Sequence, residues 1–131
     1  MSNEGGVRGI VVAHGSMAEG MVDAVRRIAG GAADALEAVS NEGTNPADLR
    51  GIIDGLAGKD EVVIFADLQA GSCGMAALST CREGGNRAVV CGVNLPILLD
   101  FVFHRDLPID ELVERLLVKG KDGIRPLPRT A

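Results

Sequence analysis

The chain has 131 residues, of which 47% are hydrophobic but only 2% aromatic, with no Trp or Tyr, and a formal net charge of −5. That length suits one domain over 1–131, with a core of Val, Ile, Leu, Ala and Met that needs no covalent staple. The acidic balance and the lack of basic residues interleaved with aromatics exclude a nucleic-acid surface, and no apolar run approaches the length of a membrane span.

The three cysteines, Cys73, Cys81 and Cys91, are odd in number and lack the paired short spacing of a zinc site. They read as free thiols in a reducing compartment. The amino terminus has no charged segment followed by an apolar one, so residues 1–6 read as a flexible tail and the chain as cytoplasmic.

The first element is Ile10–Ala13, an apolar run without polar alternation, as expected of a parallel strand buried on both faces. It delivers His14 to its carboxyl end. Ser16 and Glu19 have capping-box spacing, which predicts a helix over 17–29 with free amides aimed back at the histidine. In that helix Ala18, Met21, Val22, Val25 and Ala29 share one face, and Gly30-Gly31 ends it.

A short strand over 36–40 follows, and then Asn45 caps a helix that starts at Pro46, buries Leu49, Ile52, Ile53 and Leu56, and stops at Gly58. Val62–Ala66 carries the strongest strand pattern in the chain, with Asp67 at its carboxyl end. The small-residue turn Leu68–Gly74 leads into a helix over about 73–83, closed by Gly84-Gly85. A strand over 87–92 comes next, and Asn94-Leu95-Pro96 opens a short helix to about Phe103. Pro108 to Lys119 forms the last helix on Leu112, Val113, Leu116 and Leu117, ended by Gly120, with 123–127 as an edge strand and 126–131 as a tail.

Strands alternating with helices predict an open, mostly parallel α/β sheet with helices on both faces. Such sheets place their sites at the carboxyl ends of strands, so the loop of His14 and the loop from Asp67 to Ser72 converge. Asp67 would hold one ring nitrogen of His14 as N–H and leave the other as a nucleophile, while the helix-start amides near Ser16 and in the second loop, with the Ser72 hydroxyl, receive an anionic group. Blander readings accompany these. His14 alone is also compatible with a hydrogen-bonded loop residue, Gly15 with a tight turn, Cys73 with a packed thiol, and His104 with a helix-end or surface position. Neither a nucleophile elbow nor a P-loop is present.

Three stretches resemble one family. Val11-Val12-Ala13-His14-Gly15-Ser16-Met17-Ala18-Glu19-Gly20 is similar to the active-site segment of mannose-type IIA domains of the bacterial phosphoenolpyruvate-dependent sugar phosphotransferase system. Asp67-Leu68-Gln69-Ala70-Gly71-Ser72-Cys73 resembles that family's D-L-x-G-G-S-P loop, and Gly92-Val93-Asn94-Leu95-Pro96-Ile97-Leu98-Leu99 its G-x-N-x-P-M-L segment. The resemblance implies four parallel strands plus one antiparallel edge strand, and a homodimer in which the last strand is often exchanged.

It further implies that His14 accepts a phosphoryl group from the histidine-containing phosphocarrier protein and passes it to a IIB domain, for sugar uptake or its regulation. Asp67 then matches the orienting carboxylate, Gly71 and Ser72 match the loop that holds the phosphoryl group, and neither cofactor nor metal is needed. No IIB-like extension follows, so the IIB domain is expected on a separate chain. Ala70 replaces the first loop glycine, Cys73 the proline, and Gln69 a position often aromatic or apolar.

Two rivals stand beside this reading. A small metal chelatase of tetrapyrrole synthesis shares Val-Ala-His-Gly-Ser, but needs further ligands, for which His104 is the available histidine. A signalling or binding module on the same fold would transfer nothing.

Overall fold

The computed structural model describes residues 5–81 and 86–128. Four strands, β1 (Arg8–Ala13), β2 (Leu36–Ser40), β3 (Val62–Ala66) and β4 (Arg87–Cys91), form one all-parallel sheet in the order β2-β1-β3-β4. Five α-helices connect and cover them: α1 (Met17–Ala29), α2 (Pro46–Ala57), α3 (Ser72–Ser79), α4 (Leu95–Val102) and α5 (Ile109–Asp122). The sequence expectation of an open parallel sheet with helices on both faces holds.

Alternation along the strands divides the core in two. Val11 and Ala13 of β1 and Val63 and Phe65 of β3 pack with α1, α4 and α5, where Phe65 meets Phe101 edge to face at 5.2 Å between ring centroids. Ile10, Val12, Val62 and Ile64 point the other way, onto Leu49, Ile53 and Ala57 of α2 and Cys73, Ala76 and Ala77 of α3. Every residue of β3 and all but the first of β1 are therefore buried or nearly so, which is why both read as unbroken apolar runs.

Several expectations change. The antiparallel edge strand over 123–127 does not form among the described residues; Ile124 and Leu127 stand 77% exposed. Gly120 does not end the last helix. Helix α5 continues to Asp122 because Gly120 sits where a Cβ would come within 2.5 Å of Ile97 Cδ1, so the glycine serves the close crossing of α4 and α5.

Helix α3 stops at Ser79, earlier than expected, where the Ser79 and Thr80 hydroxyls each donate 2.7 Å bonds to the carbonyls of Ala76 and Ala77. Glu83 and Gly84-Gly85 lie outside the described residues. Ile52 and Leu117, expected in buried stripes, are 41% and 43% exposed, since the buried rows are narrower: Leu49, Ile53 and Ala57 in α2, Leu112 and Leu116 in α5. A 3-10 turn over Gly30–Ala35 follows α1 where only a stop is expected. Of the two expected tails, residues 1–4 and 129–131 lie outside the described residues, and Gly5 and Gly6 lie against Arg105.

Asn45 caps α2 as its position predicts, accepting from the Asp48 amide at 2.9 Å with Pro46 in the first turn. Asn94 does the same for α4, accepting from the Ile97 amide at 3.1 Å, and its side-chain amide also donates to the Gly120 carbonyl of α5 at 3.0 Å.

Candidate functional site

The chain leaves β1 toward β2 on one side and later adds β3 on the other, so the topology reverses between β1 and β3. In open parallel sheets that crevice is where ligands bind. His14 follows β1 there, and Asp67 follows β3. The 53 residues between them in sequence become a single hydrogen-bonded pair.

Two bonds fix the pair. Asp67 Oδ2 accepts from the His14 backbone amide at 3.0 Å and stands 2.7 Å from Nδ1 of its ring. An ionised carboxylate only accepts, so Nδ1 carries the proton and Nε2 keeps its lone pair. Asp67 Oδ1 accepts from the Leu68 amide at 2.9 Å. Burial by itself raises the Asp67 carboxyl, but the bonds from the His14 ring and backbone, the histidine's charge and the Leu68 amide outweigh it and hold the group below the ordinary carboxylate range. The Asp67 side chain is only 7% exposed and that of His14 45%, so the carboxylate is sheltered while the imidazole reaches solvent.

Gly71 faces the free nitrogen. It is the N-cap of α3 at φ +110, a conformation that favours glycine, and a Cβ on it would lie 3.7 Å from His14 Cε1 and 3.9 Å from Nε2. The amino end of α3, with its unpaired first-turn amides, therefore opens beside Nε2, and Ser72 is its first residue. Gly15 adopts φ +59 in a tight turn, a conformation that favours glycine, and a Cβ there would meet nothing within 4 Å.

Ser16 does not form the expected capping box with Glu19. Its φ of −94 and ψ of 10 are nearly helical rather than extended, and it makes no side-chain cap bond. The turn closes instead through the Met17 amide to the His14 carbonyl at 3.2 Å and the Gly20 amide to the Ser16 carbonyl at 3.0 Å, leaving Ser16 exposed.

Cys73 is buried in the first turn of α3, with Sγ 3.7 Å from His14 Nδ1. Burial, then the Asp67 charge, push its thiol up, so it stays protonated as a packed group. His104 does not join the site. It lies two residues beyond the end of α4, its Nδ1 2.8 Å from the Asp100 carbonyl, and the neighbouring Arg105 pairs with Val7 at the amino end of β1, opposite His14.

Two residues that the sequence reading places only at a strand end, Ser40 and Asn41, buttress the histidine turn. Ser40 Oγ donates to the Gly15 carbonyl at 2.8 Å, and Asn41 Oδ1 accepts from the Gly15 amide at 3.1 Å. The hint in the sequence is a polar pair where the strand ends.

Over residues 9–117 the chain matches the family described as the PTS system fructose IIA component, EIIA-man. Among solved structures it is similar to phosphotransferase component EIIA from Streptococcus agalactiae, with TM-score 0.84, 23% identity and coverage of 92% of this chain and 96% of that one. A mannose/sorbose-specific IIA subunit from Enterococcus faecalis matches with TM-score 0.81, 25% identity and coverage of 96% and 98%. A IIA protein associated with the fucose utilization operon of Streptococcus pneumoniae matches with TM-score 0.74, 22% identity and coverage of 97% and 96%. No curated protein sequence matches the chain.

Proposed function

The chain belongs to the fructose/mannose IIA family of the sugar phosphotransferase system, and from that premise we propose that it carries a phosphoryl group on Nε2 of His14. The observation that carries this is the 2.7 Å bond between His14 Nδ1 and Asp67, which leaves Nε2 free beside Gly71. The donor is the histidine-containing phosphocarrier protein, and the acceptor is a IIB domain on another chain.

In the forward step the Nε2 lone pair forms a bond to phosphorus as the donor's nitrogen–phosphorus bond breaks, its pair returning to the donor ring. Charge then develops on the His14 ring, and Asp67 stabilises it through Nδ1–H. The amides at the start of α3, the Ser72 hydroxyl and the open end of α1 at Ser16 hold the phosphoryl oxygens. Transfer to the acceptor reverses these steps.

A protein donor also fits the rim of the site. Met17 at the start of α1, Leu68 just after β3 and Met75 in the first turn of α3 are 42%, 48% and 63% exposed, apolar surface suited to a macromolecular partner. No helix among the described residues is long and apolar enough to cross a membrane. The cytoplasm is the proposed location, since the donor works there.

The test is intact mass after incubation with enzyme I, phosphocarrier protein and phosphoenolpyruvate. Wild type gains one phosphoryl mass, labile to acid and stable to alkali as a phosphoramidate is, and His14→Ala gains none. A phosphorylated His14→Ala chain overturns the assignment.

A further inference from the structure

Where the resembling family's loop carries proline, this chain carries Cys73, and that difference places a third metal-binding atom against the catalytic pair. His14 Nδ1, an Asp67 carboxylate oxygen and Cys73 Sγ all lie within 4.8 Å of one another. Tetrahedral zinc with Zn–N of about 2.0–2.1 Å and Zn–S of about 2.3 Å separates its nitrogen and sulfur ligands by about 3.6 Å. The Nδ1 to Sγ distance is 3.7 Å. The Nδ1 to Oδ2 distance of 2.7 Å must widen by about 0.7 Å to admit the ion, a movement open to a ring that is 45% exposed.

We propose that His14, Asp67 and Cys73 form a site for one zinc-class divalent cation, and that its occupancy switches the histidine off. Nitrogen, carboxylate and thiolate together suit zinc, with the fourth position left to water. The site stands on geometry alone; the switching rests on the phosphotransfer reading.

Proton accounting explains the switch. In the metal-free site the neutral ring keeps its proton on Nδ1 and its lone pair on Nε2. A cation on Nδ1 needs a lone pair there, so the ring's single proton leaves Nδ1 and is carried through solvent to Nε2, where the phosphoryl group would bond. The Cys73 thiol releases its proton to solvent as sulfur binds the metal, so one proton leaves per ion. The cation also claims the carboxylate that stabilises charge on the ring. Metal on Nδ1 thereby leaves Nε2 protonated, without the lone pair that attacks phosphorus.

Cobalt(II), titrated into the metal-free full chain, reads the site without any phosphotransfer. One ion per chain should bind with a sulfur-to-cobalt charge-transfer band, retained in Cys81→Ser and Cys91→Ser. Cys73→Ser, and Cys73→Ala as a variant that buries no hydroxyl, should lose the band and bind at least about tenfold more weakly. Absence of the band in wild type, or its survival in both Cys73 variants, overturns the site.

Zinc chloride then reads the switch. One equivalent should slow phosphorylation of wild type about tenfold or more, reversibly with a chelator, and slow each Cys73 variant far less relative to that variant without zinc. Equal slowing in all three overturns the switch, whereas a chain that takes no phosphoryl group even with chelator contradicts the proposed function instead.

Discussion

Asp67 does two jobs with one oxygen, holding the His14 backbone and its ring, and both make its charge matter. Asp67→Asn keeps the shape but replaces the negative acceptor, so the developing imidazolium loses its partner. Transfer should fall by about 10²-fold or more with the fold retained, measured as the rate of phosphoryl mass gain; an unchanged rate removes Asp67 from the mechanism. Because the folded carboxyl is held below its ordinary range, its stabilisation is complete above the unfolded value of about 3.9 and is lost as pH falls through the lower folded value. The stability gap between wild type and Asp67→Asn should therefore narrow only below about pH 4 in urea titrations. On the proposed reading Ser72→Ala would remove one charge-assisted bond of about 1.5–3 kcal/mol, and should shorten the lifetime of the phosphorylated form without unfolding the chain. His14 and Asp67 are legible in the sequence because each directly follows an unmistakable buried strand. Ser40 and Asn41 are not, because their contacts join the chain to Gly15 across 25 and 26 residues by register alone.

At the scale of elements, local chemistry predicts well where a residue acts on its own neighbours and poorly where it acts on a distant one. Asn45 and Asn94 cap the helices their positions announce. Gly120 has the same local appearance as a helix stop, yet its reason is Ile97 on α4. Gly120→Ala would be neutral or stabilising in an isolated helix but should destabilise this protein by about 1–3 kcal/mol, since the added methyl pushes α5 off α4. The midpoint of urea denaturation checks it, and an unchanged or higher midpoint would mean that the two helices separate without loss. The Ser16–Glu19 spacing has the reverse history: the sequence pattern is sound, but the nearly helical backbone of Ser16 removes the geometry that a cap requires.

For the molecule as a whole, the parallel sheet is readable from the order of strands and helices, but its boundary is not. Among the described residues no strand pairs with the outer side of β4, and Leu117 and Ile124, which line a pocket with Val90 and Cys91, stand exposed. An exposed apolar segment beside an unpaired strand edge can pair with a second copy, so the expected homodimer should appear by light scattering at micromolar concentration as twice 13.5 kDa; a lone 13.5 kDa species rejects it. That edge surrounds a fold whose two central strands converge on one ring. The central claim is that Asp67 reserves Nδ1 and leaves Nε2 to react, and nitrogen-15 and phosphorus-31 NMR of the phosphorylated protein distinguish the two nitrogens directly. The account predicts phosphorus coupled to Nε2 of His14, with Nδ1 protonated and bonded to Asp67. Phosphorus on Nδ1, or on any residue other than His14, would contradict it.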